Sequence, residues 1–379
     1  MPPQGIEFDL LCAVAGPRPD LGRANELLKR DVDLDVLFSL AEWHAVRPAL
    51  AALAGIDDNP ERSADLKQRA SAFERPHVTR SLSMAGELTR VGRALAASGI
   101  PFFVFKGPIL ALQLYGGLAQ REYADIDLLV PPDRSEAAKA LLASLGYRNS
   151  QGDPVFVRTF LGAQRQVALE RPGLAAAIDL HWAFTGRKLP FPLAAEDVWS
   201  GLDTVVVAGQ AVPTLATEDL ALLLAGHGTK EAWLQLNWVA DFAFLVERHP
   251  ELDWARLLAR ARRRHCGDAV LLAMTMAHRL LGTAIPDALL ASVAGRPRVG
   301  SEADRIITVL RQGIPEGPRE HLYDLLLCDR PIDRWRALAR TTLTPTAGDY
   351  HAMPLPRALW PLYWLTRPFR LAGRALRRG

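Results

Sequence analysis

Two aspartates interrupt an otherwise apolar strand pattern in the stretch REYADIDLLV. Successive side chains of a β-strand point to opposite faces, so Asp125 and Asp127 share one face and the apolar residues share the other. Two carboxylates held this close repel each other, and an unpaired carboxylate is costly to bury. The pattern therefore predicts a strand that is buried on one face and offers two carboxylates, suited to a divalent cation, on the other.

The hydrophobic period changes along the 379 residues, of which 49% are apolar, an ordinary value for a globular protein. Apolar residues recur at helical spacing up to about residue 98, short strand patterns alternate with helical ones after it, and the helical period then returns. We expect an α+β fold in which a small mixed sheet with helices is flanked by two helical units. The predicted units are an N-terminal helical unit (1–98), a sheet domain (99–205), a C-terminal helical unit (206–343) and a proline-punctuated, aromatic, basic tail (344–379).

The central unit contains several strand patterns and two helix patterns in about eighty residues. Its predicted strands are IPFFVFKG, ADIDLLV, PVFVRTF, RQVALE and LAAAIDLHW. Its predicted helices are PILALQLYGG, which has proline at its start, and DRSEAAKALLASLGY, for which Asp133 or Ser135 is the expected cap and Gly146 the expected end. Asp179 is the one acid in the last strand, and the alternation rule places His181 on the same face.

These residues resemble the nucleotidyltransferase superfamily and, within it, an uncharacterised nucleotidyltransferase family. The resemblance rests on Lys106-Gly107 at the end of a strand, on Tyr115 and Arg121, on the strand with Asp125 and Asp127, and on the later IDLHW strand. It continues through LLLAGHGTKEAWLQLNWVADFAFLV and LPRALWPLYWLTRPFRL. One departure is that Pro108 follows Gly107, where the superfamily has Ser or Gly.

The resemblance implies a Mg²⁺-dependent enzyme that transfers a nucleoside monophosphate from a nucleoside triphosphate to a hydroxyl. The acceptor would be a small molecule, a peptide or a protein, with lasso-type peptides among the candidates. Two Mg²⁺ ions are implied, with Mn²⁺ as an alternative, because such ions are held by carboxylates and substrate phosphates. Asp125 and Asp127 would bridge both ions, and Asp179 would hold the ion beside the acceptor.

Further residues are predicted to bind the nucleotide. The turn at Lys106 and Gly107 opens a helix and suits a phosphate, and Lys106 and Arg121 could neutralise the β- and γ-phosphates. From the later helical unit, Lys230 and Asp241, together with His227, are expected to contact the nucleotide or the acceptor.

Structural roles are the alternative for several of these residues. Asp179 could be an edge-strand acid paired with Arg165 or Arg171. We expect His181 to be a hydrogen-bonded structural histidine, because Mg²⁺ prefers oxygen ligands. A DxD pattern alone is weak evidence for catalysis, and the surrounding motifs give it weight.

The charge balance bears on the class of partner. Lys and Arg total 45 against 42 for Asp and Glu, so a large nucleic-acid footprint is not expected and DNA is not a predicted partner. Transfer to tRNA ends, as in nucleotidyltransferase toxins, stays open, as does a non-catalytic scaffold that binds a nucleotide or peptide. A glycosyltransferase would need a nucleotide-binding α/β half before the DxD motif, where this chain has a helical pattern.

The cysteines and the ends of the chain bear on its compartment. Cys12, Cys266 and Cys328 lie far apart without a CxxC pair, so a disulfide framework or a zinc cluster is not expected. The N-terminus lacks a secretory pattern and no run is apolar enough for a spanning helix, which predicts a cytoplasmic protein without integral membrane contact. The tail LWPLYWLTRPFRLAGRALRR mixes aromatic residues with arginines, a composition compatible with an anionic membrane surface, although packing onto the protein body is the simpler interpretation.

Overall fold

The computed structural model describes residues 5–149, 165–174, 176–185, 190–311, 328–345 and 347–376. The architecture is the predicted α+β arrangement, a five-stranded mixed sheet among helices. The predicted strand PVFVRTF lies outside the described residues.

Helices form the first part of the described chain. They are α1 Gly5–Val14, α2 Leu21–Leu28, α3 Leu34–Trp43, a 3-10 helix Arg47–Gly55 and the long α4 Pro60–Ala97. Three of them begin at a side chain that accepts backbone N–H groups of the first turn: Asp20 before α2, Asp33 before α3 and Asn59 before α4. These caps set where each helix starts.

The central sheet is built from five short strands. They are β1 Phe103–Val104, β2 Asp125–Leu129, β3 Arg148–Asn149, β4 Gln166–Glu170 and β5 Ala177–His181, with helix α6 Ser135–Ser144 between β2 and β3. The strand order is β1-β2-β5-β4-β3. Only the β2–β5 pair is parallel, and the other three pairs are antiparallel. The sheet therefore places β5, the second acid-bearing strand, directly beside β2.

A helix that starts with proline connects β1 to β2, as the sequence predicts. It begins as α5 Pro108–Leu110 and continues as one π-helical stretch, Ala111–Tyr115. Such stretches are rare and often occur at functional sites. Gly116 ends it in the left-handed conformation, with φ +78°.

A hairpin follows the sheet. Its strands are β6 Asp203–Val207 and β7 Gln210–Thr214, joined by two residues with positive φ, as a tight hairpin turn requires. Strand β7 packs against β1 and α4. The predicted boundary between residues 205 and 206 falls within β6, and the division into four units stays a prediction.

The remaining described chain is helical. The helices are α7 Thr217–Lys230, α8 Leu236–Arg248, α9 Trp254–Arg263, α10 Gly267–Leu281, α11 Asp287–Ala294, α12 Pro297–Arg311, α13 Pro331–Leu343, α14 Ala347–Ala352 and α15 Tyr363–Leu376. Two 3-10 segments, Ala195–Asp197 and Trp199–Gly201, lie before β6, and a third, Arg357–Leu362, leads into α15. Among the described helices, none combines the length and the apolar character that a bilayer crossing requires.

Two large hydrophobic cores hold the described residues together, and a third, small cluster forms around Trp360 and Tyr363. In the larger core, Phe8 and Leu37 from the N-terminal helices share one buried cluster with Trp233 and Phe242 from the C-terminal helices. In the second core, the C-terminal half of α4 packs against the apolar face of the sheet. The N-terminal helices are therefore divided between the two cores and fix the sheet relative to the C-terminal helices.

Candidate active site

The pairing of β2 with β5 brings the acids together. In this parallel register Asp127 lies opposite Asp179, and Asp125 lies opposite Ala177. The alternate residues of both strands, such as Ile126 and Ile178, point to the other face and are fully buried in the core with α4. Asp125, Asp127 and Asp179 consequently share one face of the sheet.

Asp127 is the most enclosed of the three acids, with 3% of its surface exposed. Nζ of Lys106 lies 3.2 Å from its Oδ2, and Nε2 of His181 lies 3.2 Å from its Oδ1. Burial alone would raise the pKa of Asp127, but the charge of Lys106 and the contact with His181 outweigh it and hold the pKa below its usual range. Asp127 is therefore the ionised carboxylate of the site.

The other two acids carry the electrostatic conflict that the sequence predicts. Burial and the charge of Asp127 raise the pKa of Asp125 to about 6. Burial and Asp127 also raise the pKa of Asp179. A nearby positive charge, which a divalent cation would supply, would stabilise the ionised form of both carboxyls.

A group of possible metal ligands lies on β2 and β5. Asp127, Asp179 and His181 each offer one ligand atom, and these atoms lie within 4.8 Å of one another. The contact between His181 and Asp127 lacks hydrogen-bond alignment, so within the described part of the chain neither ring nitrogen of His181 has a hydrogen-bond partner, and neither has Oδ2 of Asp127. Buried polar atoms without hydrogen-bond partners, next to two carboxylates, fit a divalent cation.

Two structural alternatives from the sequence are wrong. Strand β5 lies between β2 and β4, so Asp179 is not on an edge strand, and the ion pair of Arg171 is with Glu87 at 3.5 Å. His181 is not the hydrogen-bonded histidine that we expected, although its two-residue spacing from Asp179 already placed both side chains on one face.

The turn after β1 brings the backbone close to β2. Gly107 has φ +66° and ψ −135°, and a Cβ atom at this position would lie 2.5 Å from the backbone oxygen of Asp125. Only glycine fits here without rearrangement. Lys106 is consequently held over the acids, where burial would lower its pKa but Asp127 and Asp125 raise it, so that its amine stays charged.

A cleft of about 390 Å³ opens over this face, a volume typical of small-ligand sites. Its lining includes Lys106, Gly107, Asp125 and Asp127 from the sheet unit and His227 from α7. Burial, followed by the charges of Lys106 and Lys230, holds the pKa of His227 well below its ordinary value, so its ring is neutral. The helical unit that follows the sheet therefore forms one wall of the cleft.

Arg121 and Asp241 meet in a buried ion pair. Nε and Nη2 of Arg121 donate to the two carboxylate oxygens of Asp241, each at 2.7 Å, and the hydroxyl of Tyr115 donates to Oδ1 at 2.8 Å. Both members of the pair were predicted to bind the nucleotide directly. In this arrangement they bind each other and join the loop before β2 to α8, and direct contact with a nucleotide stays a prediction.

Comparisons with known proteins place this geometry in context. Residues 30–282, more than half of the chain, match a family model described as an uncharacterised nucleotidyltransferase, and the tail pattern lies beyond that range. A search of curated proteins found no match. A solution structure of the antibiotic-resistance factor ANT(2'')-Ia is 15% identical, covers 48% of this chain and 91% of that chain, and has a TM-score of 0.36. A crystal structure of ANT(2'')-Ia in complex with adenylyl-2''-tobramycin is 14% identical, covers 59% of this chain and 97% of that chain, and has a TM-score of 0.27.

Proposed function

This chain belongs to the uncharacterised nucleotidyltransferase family, and on that premise we propose that it transfers a nucleoside monophosphate from a nucleoside triphosphate to a hydroxyl, with Mg²⁺ or Mn²⁺ as cofactor. The observation that carries the proposal is the meeting of Asp125, Asp127 and Asp179 on one sheet face, beside buried ligand atoms that lack a hydrogen-bond partner among the described residues. Two carboxylates can hold such an ion while the triphosphate supplies further oxygen ligands.

The residues that line the cleft and those around it have distinct roles in this proposal. Asp125 and Asp127 would bind the metal, which when present neutralises charge on the reacting phosphates. Lys106 and Lys230 would stabilise the negative charge that grows on the departing pyrophosphate. Gly107, having no side chain, would let the triphosphate approach the backbone of the turn. Arg121 and Asp241 would keep the loop before β2 in position.

The acceptor would lie on the Asp179 side of the metal. Beyond β5 the next strand is β4, where Ala168 is the register partner of Asp179. The methyl side chain of Ala168 occupies little space on the acid-bearing face, so an acceptor hydroxyl could reach Asp179 there. We propose a small molecule or a peptide, such as a lasso-type peptide, as the acceptor, since the cleft has the size of a small-ligand site.

The proposal is tested with Asp127→Asn and a matched control, Asp133→Asn, whose side chain is 75% exposed. Mg²⁺ with a non-hydrolysable triphosphate should raise the thermal midpoint of the wild type and the control through mass action, and should leave that of Asp127→Asn nearly unchanged. Incubation of each protein with labelled triphosphates, Mg²⁺ or Mn²⁺ and a cell extract, followed by mass spectrometry, should show transfer by the wild type and the control only.

The ligand-induced shift, and not the midpoint itself, is the informative quantity. Asp127→Asn takes the ionised partner away from buried Lys106, so a lower midpoint without ligand is expected in any case. Equal ligand-induced shifts in all three proteins would show that Asp127 does not hold the metal. The proposal would then lose its main chemical support.

A further inference from the structure

Helix α15 near the C-terminus has its polarity reversed relative to an ordinary surface helix. Leu365 and Phe369 are 66% and 79% exposed, whereas Arg367 is 1% exposed. A helix packed on a globular protein normally turns its apolar stripe inward and its charges outward. The arrangement therefore needs a structural cause and leaves an apolar face without cover among the described residues.

Buried polar contacts fix the helix in this orientation. Nη1 of Arg367 donates to Oδ2 of Asp349 at 2.6 Å, and Nε of Arg370 donates to Oδ1 at 2.7 Å. At the start of the helix the hydroxyl of Tyr363 donates to the backbone oxygen of Met353 at 2.7 Å. Asp349 is 2% exposed, so turning the helix over would break buried charge pairs.

Helix α13, which packs against α15, also exposes apolar residues. Ile332, Trp335 and Leu343 are 51%, 69% and 46% exposed. Their spacing of three and eight residues places them on one side of the helix. Exposed apolar groups on two neighbouring helices are more than the scattered single residues of an ordinary surface.

The chemistry of the segment indicates what covers this surface. From residue 350 to residue 379 the chain contains six arginines and no acidic residue. Two of them, Arg367 and Arg370, pair with Asp349, and the other four give the segment its net positive charge. Leucine, phenylalanine and tryptophan together with arginine are the composition of helices that lie in a membrane interface, where the apolar groups enter the acyl boundary and the cations meet anionic headgroups.

We propose that the C-terminal helices α13 and α15 bind the surface of an anionic membrane through their exposed apolar residues. The surface lies outside residues 30–282, the range that matches the nucleotidyltransferase family, and the inference does not depend on the proposed reaction. Membrane binding of this kind would concentrate the enzyme at a lipid surface without a spanning helix.

The test is sedimentation of the full chain with phosphatidylcholine vesicles that contain either no anionic lipid or about 30% phosphatidylglycerol, at low and high salt. The wild type should bind the anionic vesicles and lose most of the binding with zwitterionic vesicles or in high salt. Leu365→Glu/Phe369→Glu should weaken binding by about tenfold or more. The control Leu82→Glu/Leu290→Glu changes two exposed leucines of other helices and adds the same charge, and it should bind like the wild type.

Several results would overturn the proposal. One is the absence of binding to anionic vesicles by a wild type with a normal thermal midpoint. Another is that Leu365→Glu/Phe369→Glu binds the anionic vesicles as well as the control Leu82→Glu/Leu290→Glu does. A third is a wild-type dimer in light scattering that dissociates in Leu365→Glu/Phe369→Glu while neither protein binds vesicles, because the surface would then join two copies of this chain.

Discussion

At the scale of single residues, the candidate site depends on a backbone position as much as on its acids. Gly107 adopts a conformation that an L-residue rarely takes, and it approaches the backbone of Asp125 more closely than any side chain permits. This close approach is what sets Lys106 over Asp127. A substitution at Gly107 should therefore act on folding and on the site together.

We predict that Gly107→Ala lowers the free energy of unfolding by about 3 kcal/mol or more and reduces transferase activity, because the new Cβ meets a backbone oxygen in a strained conformation. Gly99→Ala is the matched control, since Gly99 has a similar φ of +64° with nothing within 4 Å of the added atom. Its cost should be about 1 kcal/mol. Chemical denaturation of both variants measures the difference, and equal losses would show that the close contact does not matter.

The local pattern of the sequence was sufficient for some of these residues. Alternation along β2 predicted that Asp125 and Asp127 share a face, because strand geometry alone decides this. It could not predict which of the two is stabilised, since Lys106 approaches Asp127 from the turn after β1 and His181 approaches it from β5. The position of His181 among the possible metal ligands was missed for the same reason.

At the scale of secondary-structure elements, the buried pair of Arg121 and Asp241 joins the sheet unit to the helix wall of the cleft. Their positions are 120 residues apart, and the hydroxyl of Tyr115, at the end of the π-helical stretch, binds the same carboxylate. No periodicity in the sequence predicts such a contact. The helices themselves were predictable, because their apolar spacing is a local signal. The expected cap of α6, Asp133 or Ser135, is wrong, since the helix begins after Arg134 and has no side-chain cap hydrogen bond.

We predict that Asp241→Asn lowers the free energy of unfolding by about 3 kcal/mol, because it leaves the Arg121 guanidinium buried without its counter-charge. Tyr115→Phe should cost about 1 kcal/mol, the value of one hydrogen bond. Glu136→Gln is the control, since its pair with Lys139 is exposed and should contribute almost nothing. Urea unfolding curves measure all three, and a loss for Asp241→Asn no larger than that for Glu136→Gln would contradict the buried-pair interpretation.

At the scale of the whole molecule, the N-terminal helices connect the two cores. His44, 1% exposed at the end of α3, accepts a hydrogen bond at Nδ1 from the backbone N–H of Leu236 at 3.3 Å, and its carbonyl accepts one from Asn237. The N-terminal helices are thereby fixed to the start of α8, which forms part of the cleft wall. The sequence predicted helices before and after the sheet, but not that they share a core, because that depends on packing between distant segments.

We predict that this contact makes stability sensitive to acid. Burial lowers the pKa of His44 from 6.5 to about 4 in the folded protein. At this side chain the unfolded chain therefore binds more protons between these values, and His44 contributes a loss of about 3 kcal/mol of stability as the pH falls from about 6.5 to about 4.

Thermal or urea unfolding across this pH range measures the loss. His44→Gln should reduce the slope of stability against pH relative to the wild type. An unchanged slope in His44→Gln would assign the acid sensitivity to other groups.

The parallel pairing of β2 and β5 has a consequence for biosynthesis. Asp179 follows Asp127 by 52 positions, so a ribosome produces the first two acids several seconds before the third, at ordinary rates of synthesis of about 5–20 residues per second. A parallel pair also closes a long loop, which makes it a slow contact in folding. Nascent chains should therefore acquire nucleotide affinity only after β5 has left the exit tunnel, and an arrested chain that ends before this strand should have none.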